Sequence, residues 1–278
     1  MKIAIAGLGL IGGSFAMAIK RRTNHSVAAV DSDALTVRKA LEVGAIDAEG
    51  LAGFSEADVV LIALYPAAAV EFLRENARRL KRGAIVIDLC GIKRYVVDAA
   101  RELFAERDIT FIGGHPMAGR EVSGFDGASE TLFDGASMIL TPDADTPIAA
   151  LLLAEEFFLR IGFGSITRTD AATHDEMISF TSQLAHIVSS AYAQNPIALQ
   201  FDGFSAGSFA DMTRVAKLNE DMWTELFLLN ADYLTEQIAV LTDNLTELRR
   251  LIAAGDANGL REVLRAGRIM KEKLIGER

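Results

Sequence analysis

A single cysteine, Cys90, excludes an internal disulfide, and four histidines scattered along 278 residues make no zinc-type spacing, so no metal site is expected. Long hydrophobic runs are missing as well. Although 50% of the residues are hydrophobic, Arg, Lys, Asp or Glu interrupts every apolar stretch before the roughly 18–20 residues that a bilayer-spanning helix needs. No membrane span is expected. The opening MKIAIAGLGLIGGSF is broken by glycines and has no cleavage-type small-residue site behind it. That argues against a secretory signal and for a cytoplasmic protein. Positive charge is in deficit, with 28 Lys plus Arg against 38 Asp plus Glu and a net charge of -10. Binding along a nucleic-acid backbone needs clustered cations, and the one basic run, Lys20-Arg21-Arg22, reads as the solvated end of a helix. Repeats and low-complexity segments are absent too.

What is present divides into two textures. Up to about residue 168, short Val- and Ile-rich runs alternate with amphipathic stretches. Strands are expected over Lys2–Ala6, Ser26–Val30, Val59–Ala63, Ala84–Asp88, Thr110–Ile112, Ser137–Leu140 and Phe163–Thr167, with helices between them. Such alternation implies right-handed crossovers and a mostly parallel, α/β sheet. Beyond residue 168, apolar residues recur at helical spacing through Asp175–Tyr192, Ser208–Lys217, Met222–Ala254 and Asn258–Lys273, with a turn expected at Asp256–Gly259. The expected organisation is residues 1–168 as an α/β domain and 169–278 as an all-α domain, which together account for the sequence and leave no stretch for a fused further enzyme. Met222–Leu229 carries more apolar surface than one helix face hides, which calls for cover by other helices or by a second subunit.

The strongest local signal is Gly7-Leu8-Gly9-Leu10-Ile11-Gly12-Gly13, directly after the first strand and opening a helix. Gly7 suits the tight turn, Gly9 a close backbone approach to a pyrophosphate, and Gly12 close packing of helix on strand, with the helix amides facing the anion. Asp31 follows 19 residues after Gly12 at the end of the second strand. A carboxylate there accepts hydrogen bonds from a ribose hydroxyl pair and repels a 2'-phosphate, which selects NAD over NADP. Asp31, Ser32 and Asp33 equally suit the start of a helix.

Gly113-Gly114-His115-Pro116 comes at the carboxyl end of the strand beginning near Thr110, the edge at which open parallel sheets take ligands. The two glycines are expected to let a cofactor pass. A neutral imidazole at His115 suits proton acceptance from a substrate hydroxyl as hydride departs; capping of a turn is the alternative. Ser179, Ser182, Gln183 and His186 form one polar stripe at i, i+3, i+4 and i+7, open to a ligand or to another helix. His174-Asp175 reads as a helix start. Arg214 is suited to bidentate binding of a carboxylate or to an i,i+3 ion pair with Asp211. Glu121 is a further candidate for this charge network, Lys93 is open to either a site role or solvation, and Cys90 reads as a small buried residue.

Taken in order, Gly7–Ser14, Gly113–Gly119, His174-Asp175 and Phe209–Arg214 with Trp223 resemble the motifs of the prephenate/arogenate dehydrogenase family of tyrosine biosynthesis, across essentially the whole chain. The resemblance implies a Rossmann-type N-terminal domain and a helical C-terminal domain that forms a homodimer. It also implies NAD-dependent oxidative decarboxylation of prephenate to 4-hydroxyphenylpyruvate, or of arogenate. By the same resemblance His115 is catalytic, while His186 and Arg214 contact substrate. Two positions depart from the family pattern, Gly91 where a serine is usual and Ala210 where a lysine is frequent, so the choice between prephenate and arogenate does not carry over. The rival readings are a beta-hydroxyacid dehydrogenase, which usually presents a catalytic lysine on the helix after the nucleotide domain, and a dinucleotide-responsive binding protein without catalysis.

Overall fold

The computed structural model describes all residues except Glu121, Phe201, Ala206, Glu277 and Arg278. The chain divides into two compact units, Met1–Asn230 and Ala231–Arg278. No helix among the described residues is long and apolar enough to cross a membrane.

The first unit is built on strands β1 (Lys2–Ala6), β2 (Ser26–Val30), β3 (Ala48–Glu49), β4 (Val59–Ile62), β5 (Ala84–Asp88), β6 (Ile109–Pro116), β7 (Ser137–Thr141) and β8 (Ser165–Arg168). They form one sheet in the order β3-β2-β1-β4-β5-β6-β7-β8. All neighbours are parallel except β6 and β7. Strand order reverses between β1 and β4, and the crevice beyond the carboxyl ends of such a pair is where open sheets bind ligands.

Side-chain alternation in β1 sends Ile3 and Ile5 into one core and Ala4 and Ala6 into the other. The first core contains residues of α1 (Leu10–Arg22), α2 (Ala34–Glu42) and α5 (Ile148–Arg160), the second residues of α3 (Pro66–Asn76) and α4 (Arg94–Phe104). With both faces covered, β4 and β5 are buried at every position, which is why they read as unbroken apolar runs. Phe15 of α1 packs on Phe133 at 4.2 Å and on Phe158 and Phe163 at 6.0 Å between centroids, fixing the helix that follows the glycine loop.

Strand expectations hold at β1, β2, β4 and β5. The two exposed residues of β3 carry no apolar signal and were not expected. The larger correction is β6, which continues to Pro116 because β7 runs antiparallel beside it, pairing His115 with Ile139 and Pro116 with Met138. His115 is therefore a strand residue and not part of a turn.

The helices of the first unit continue with α6 (Ala171–Ile178), a π-helical segment (Ser179–Leu184), α7 (Ala185–Ala193), α8 (Gly207–Thr213) and α9 (Glu220–Leu229). The helix expected from Asp175 starts four residues earlier, at Ala171, where the Asp170 side chain accepts from the Thr173 amide at 2.9 Å. The expected helix over Met222–Ala254 is interrupted at Asn230. This residue is fully buried with φ -124 and ψ 26, and its side-chain amide donates to the Asp175 carbonyl and to Gln183.

The second unit consists of α10 (Ala231–Ala254) and α11 (Ala257–Gly276). The turn between them lies at Gly255-Asp256, just ahead of the expected place. Gly255 takes φ +64, a left-handed helix end, and Asp256 accepts from the Gly259 amide at 2.9 Å. Leu245, Ile252, Leu264, Met270, Leu274 and Ile275 remain exposed.

Candidate active site

The glycine loop is shaped by contacts that a Cβ forbids. Gly7 has φ +89, and a Cβ there would lie 2.5 Å from the Ala63 carbonyl oxygen. One on Gly12 would lie 1.9 Å from the Gly7 carbonyl oxygen, so only glycine lets α1 start against the turn. Gly9 differs, because nothing lies within 4 Å of its Cβ position. Gly9 is the N-cap of α1 with no side-chain cap and no acidic residue in the first turn, which leaves the amides around Leu10 and Ile11 for an anion.

Asp31 accepts from the Leu8 amide at 2.6 Å and from the Asp33 amide at 2.9 Å, tying the carboxylate to the loop itself. Helix α2 is capped by Asp33, which accepts from Leu35 at 2.9 Å, and not by Asp31. Two further residues of the motif serve packing. A Cβ on Gly13 would lie 2.7 Å from the Phe125 ring, and the buried Ser14 hydroxyl accepts from the Ser129 amide at 2.9 Å.

A second constellation gathers where β5 and β6 end side by side. Lys93 is fully buried, contrary to a solvated side chain, with its ammonium on the Asp88 carboxylate and donating to the Gly114 carbonyl at 2.6 Å. Asp88 also accepts from the amides of Cys90 at 3.0 Å and Gly114 at 3.3 Å. The glycines before His115 make room for this protein network. A Cβ on Gly113 would meet Thr141 Oγ1 at 2.1 Å and Lys93 Cδ at 3.2 Å, and one on Gly114 would meet the Asp88 carbonyl oxygen at 2.7 Å. The expectation that they clear space for a cofactor is corrected accordingly.

His115 Nδ1 lies 2.9 Å from His174 Nε2, and His174 Nδ1 lies 2.7 Å from Asp175 Oδ1. His174-Asp175 is thus not a helix start. Both are buried, and Asp175 accepts from the Lys93 amide at 2.7 Å and the Arg94 amide at 2.9 Å, capping α4 from another element. Burial alone raises the Asp175 pKa, but hydrogen bonds from His174 and the two amides outweigh it and hold the carboxyl below its usual range. Burial lowers the His174 pKa more than Asp175 raises it. His115, half-buried in the strand, is held well below the ordinary histidine range by desolvation, then by His174 and Lys93. It is a neutral imidazole at pH 7.

The π segment divides the expected polar stripe. Ser179 donates to the Glu176 carbonyl at 2.6 Å, and Gln183 donates to Leu226 at 3.1 Å and accepts from Asn230 at 2.8 Å, so both turn to protein partners. His186 pairs through Nδ1 with the Ser182 carbonyl at 2.9 Å and stacks on Trp223 of α9 at 3.9 Å. Arg214 follows α8 and is exposed, while Glu121 lies outside the described residues. A Cβ on Gly91 would meet Leu226 methyls at 3.5 and 3.7 Å, an ordinary contact. Cys90 donates its thiol to Leu64 at 3.3 Å, and burial pushes its pKa well above the ordinary value, so it is no nucleophile.

Residues 15–167 match the family model "Prephenate dehydrogenase, nucleotide-binding domain", and residues 170–266 match "Prephenate dehydrogenase, dimerization domain". The chain belongs to the prephenate dehydrogenase family. The family's prephenate dehydrogenase from Bacillus subtilis is 32% identical over 93% of this chain and 72% of its own length. Among solved structures, Synechocystis arogenate dehydrogenase is 28% identical and covers 99% of this chain and 100% of its own, with a TM-score of 0.84. Prephenate dehydrogenase from A. aeolicus, in complex with hydroxyphenyl propionate and NAD+, is 27% identical over 98% and 97%, with a TM-score of 0.86. The sequence expectation of an oxidoreductase with a Rossmann-type nucleotide-binding domain and a helical C-terminal region is borne out by these matches and by the sheet order.

Proposed function

We propose that this protein catalyses the NAD-dependent oxidative decarboxylation of prephenate to 4-hydroxyphenylpyruvate. The observation that carries the reading is the neutral His115 imidazole, whose Nδ1 is held by His174 and whose Nε2 has no hydrogen-bond partner among the described residues. It sits at the carboxyl edge of the sheet that also carries the glycine loop. NAD fits the open Cβ position of Gly9, the uncapped amides of α1 and the Asp31 carboxylate, which suits a ribose hydroxyl pair and opposes a 2'-phosphate. Bound there, NAD accepts the hydride.

His115 takes the hydroxyl proton as hydride leaves the ring carbon. The C–C bond to the ring carboxylate then breaks, carbon dioxide departs, and its electron pair makes the ring aromatic. The proton returns to the phenolate oxygen, so the reaction consumes no net proton. Arg214 and His186 bind the substrate's anionic side, since a guanidinium supplies the bidentate geometry a carboxylate asks for, and Glu121 is a candidate for the charge network that orients Arg214. Residues 1–168 form the dinucleotide domain and residues 169–278 the helical domain, supported by the extents of the two family matches. A homodimer is supported by the dimerization-domain match and by the exposed apolar residues of α10 and α11.

Arogenate is the second reading, favoured by the similarity to an arogenate dehydrogenase over 99% of this chain, and Gly91 and Ala210 do not decide between the two. The purified protein is mixed in four pairings, prephenate or arogenate with NAD or NADP, and reduced cofactor is followed by absorbance. Turnover with prephenate and NAD is expected, and no reduction in any pairing sinks the reading. Arg214→Ala should raise KM for prephenate far more than KM for NAD; equal rises would argue for a folding role.

A further inference from the structure

Two neutral imidazoles in series on one carboxylate admit one consistent placement of protons. Asp175 receives the Lys93 amide on one oxygen and the Arg94 amide on the other. Both are donors that cannot reverse, so Asp175 is an acceptor toward His174 Nδ1 as well. His174 then carries its proton on Nδ1 and turns a lone pair at Nε2 toward His115. Across the 2.9 Å contact, His115 Nδ1 must donate. Its own Nε2 is left as a lone pair. The opposite placement needs a charged His174 donating on both sides, which would force the proton of His115 onto Nε2 and present a donor to a substrate hydroxyl. A side chain with no exposed surface beside the buried Lys93 ammonium is a poor place for that charge.

The peptide before His115 is also immobilised. The Gly114 carbonyl accepts from Lys93, its amide donates to Asp88, and His115 itself pairs with Ile139 across the sheet. Ring rotation and proton placement are what remain open, and both are settled at Nδ1. We propose that His174, anchored by Asp175, is a positioning residue that locks His115 into the tautomer whose Nε2 accepts the substrate proton. This rests on the reading of His115 as proton acceptor, whereas the tautomer itself is measurable without turnover.

The test uses the full-length protein labelled with 15N-histidine. With four histidines in the chain, long-range proton–nitrogen correlations at neutral pH can be assigned through single variants. His115 and His174 should each show a protonated Nδ1 and an unprotonated Nε2. A protonated Nε2 on His115, or a charged His174, overturns the proposal. In a second arm, His174→Phe removes both nitrogens and His174→Gln retains an acceptor and a donor. Expected is a loss of about a hundredfold or more in kcat for His174→Phe, by analogy with wrong-tautomer effects at oriented histidines. Partial recovery should follow in His174→Gln, with KM for NAD unchanged in both. Near-normal kcat in folded His174→Phe overturns the proposal, and if that variant does not fold, the wild-type spectrum decides. Full turnover by His115→Asn would sink the proton-acceptor reading while leaving the tautomer assignment intact.

Discussion

The glycine loop and the His115 cluster sit in one unit and solve opposite problems. The loop is made of backbone: Gly7 and Gly12 are pressed against carbonyl oxygens, Gly9 faces open space, and its electrostatics come from uncapped amides. The cluster is made of side chains from β5, the turn before α4, β6 and α6, with Asp88, Lys93, His174 and Asp175 all buried. A backbone site requires correct residue types at fixed local spacing. A side-chain site requires that charges removed from water be matched by one another, since a buried charge left alone is costly.

The comparison breaks most visibly at His115. His115→Asn should lower kcat by about 10²- to 10⁴-fold while leaving NAD affinity, measured by titration, nearly unchanged; a parallel loss of NAD binding would mean the two regions are not separate. Next, Lys93→Met leaves Asp88 buried without its partner. Chemical denaturation should show a loss of about 3–5 kcal/mol, and a loss under 1 kcal/mol would show that water reaches the pair.

Within the loop, Gly9→Ala meets no protein atom within 4 Å, so its unfolding midpoint should match the wild type while NAD binding weakens roughly tenfold, about 1.4 kcal/mol. Gly7→Ala, at φ +89, should lose stability as well. Equal thermal midpoints for the two variants would contradict the division between ligand-facing and protein-facing glycines. A smaller effect is expected for Asp31→Ser, which should shift the NADP to NAD preference toward NADP and cost about 1 kcal/mol through the lost Leu8 hydrogen bond. An unchanged cofactor ratio removes Asp31 from selectivity.

The mildest effect is in pH. The pKa of His115 is depressed on folding, so below its unfolded value of about 6.5 the unfolded chain binds a proton that the folded one refuses. Stability therefore falls as pH drops through that value and levels off below the folded pKa. Denaturation between pH 7 and 5 should show a shallower decline for His115→Asn than for the wild type.

Legibility in the sequence follows the same division. The strands β1, β2, β4 and β5 and the Gly7–Gly12 turn were readable because each rests on a period or on a fixed local spacing of residue types, while the bond from the Leu8 amide to Asp31 spans 23 residues and was not. His115 was readable as a residue, but its place inside β6 was not, since the extension comes from pairing with β7. Lys93, Arg94 and His174-Asp175 gave no adequate local signal: their partners lie far along the chain, as Lys93 to Asp175 at a separation of 82 residues. The break at Asn230 was hidden for a related reason, because helical spacing continues across it while its amide is drawn to Asp175 and Gln183.

Composition and pattern thus decided the class of this chain, a dinucleotide-type α/β region followed by helices, because chain stiffness, side-chain period and glycine sterics act over short distances. Which polar groups were to be buried together was decided only by the tertiary structure. A lysine, an aspartate or a histidine reads the same in sequence whether solvated or enclosed, and it is the packing of β5, β6, α4 and α6 that removes water and leaves each charge to the partner opposite it.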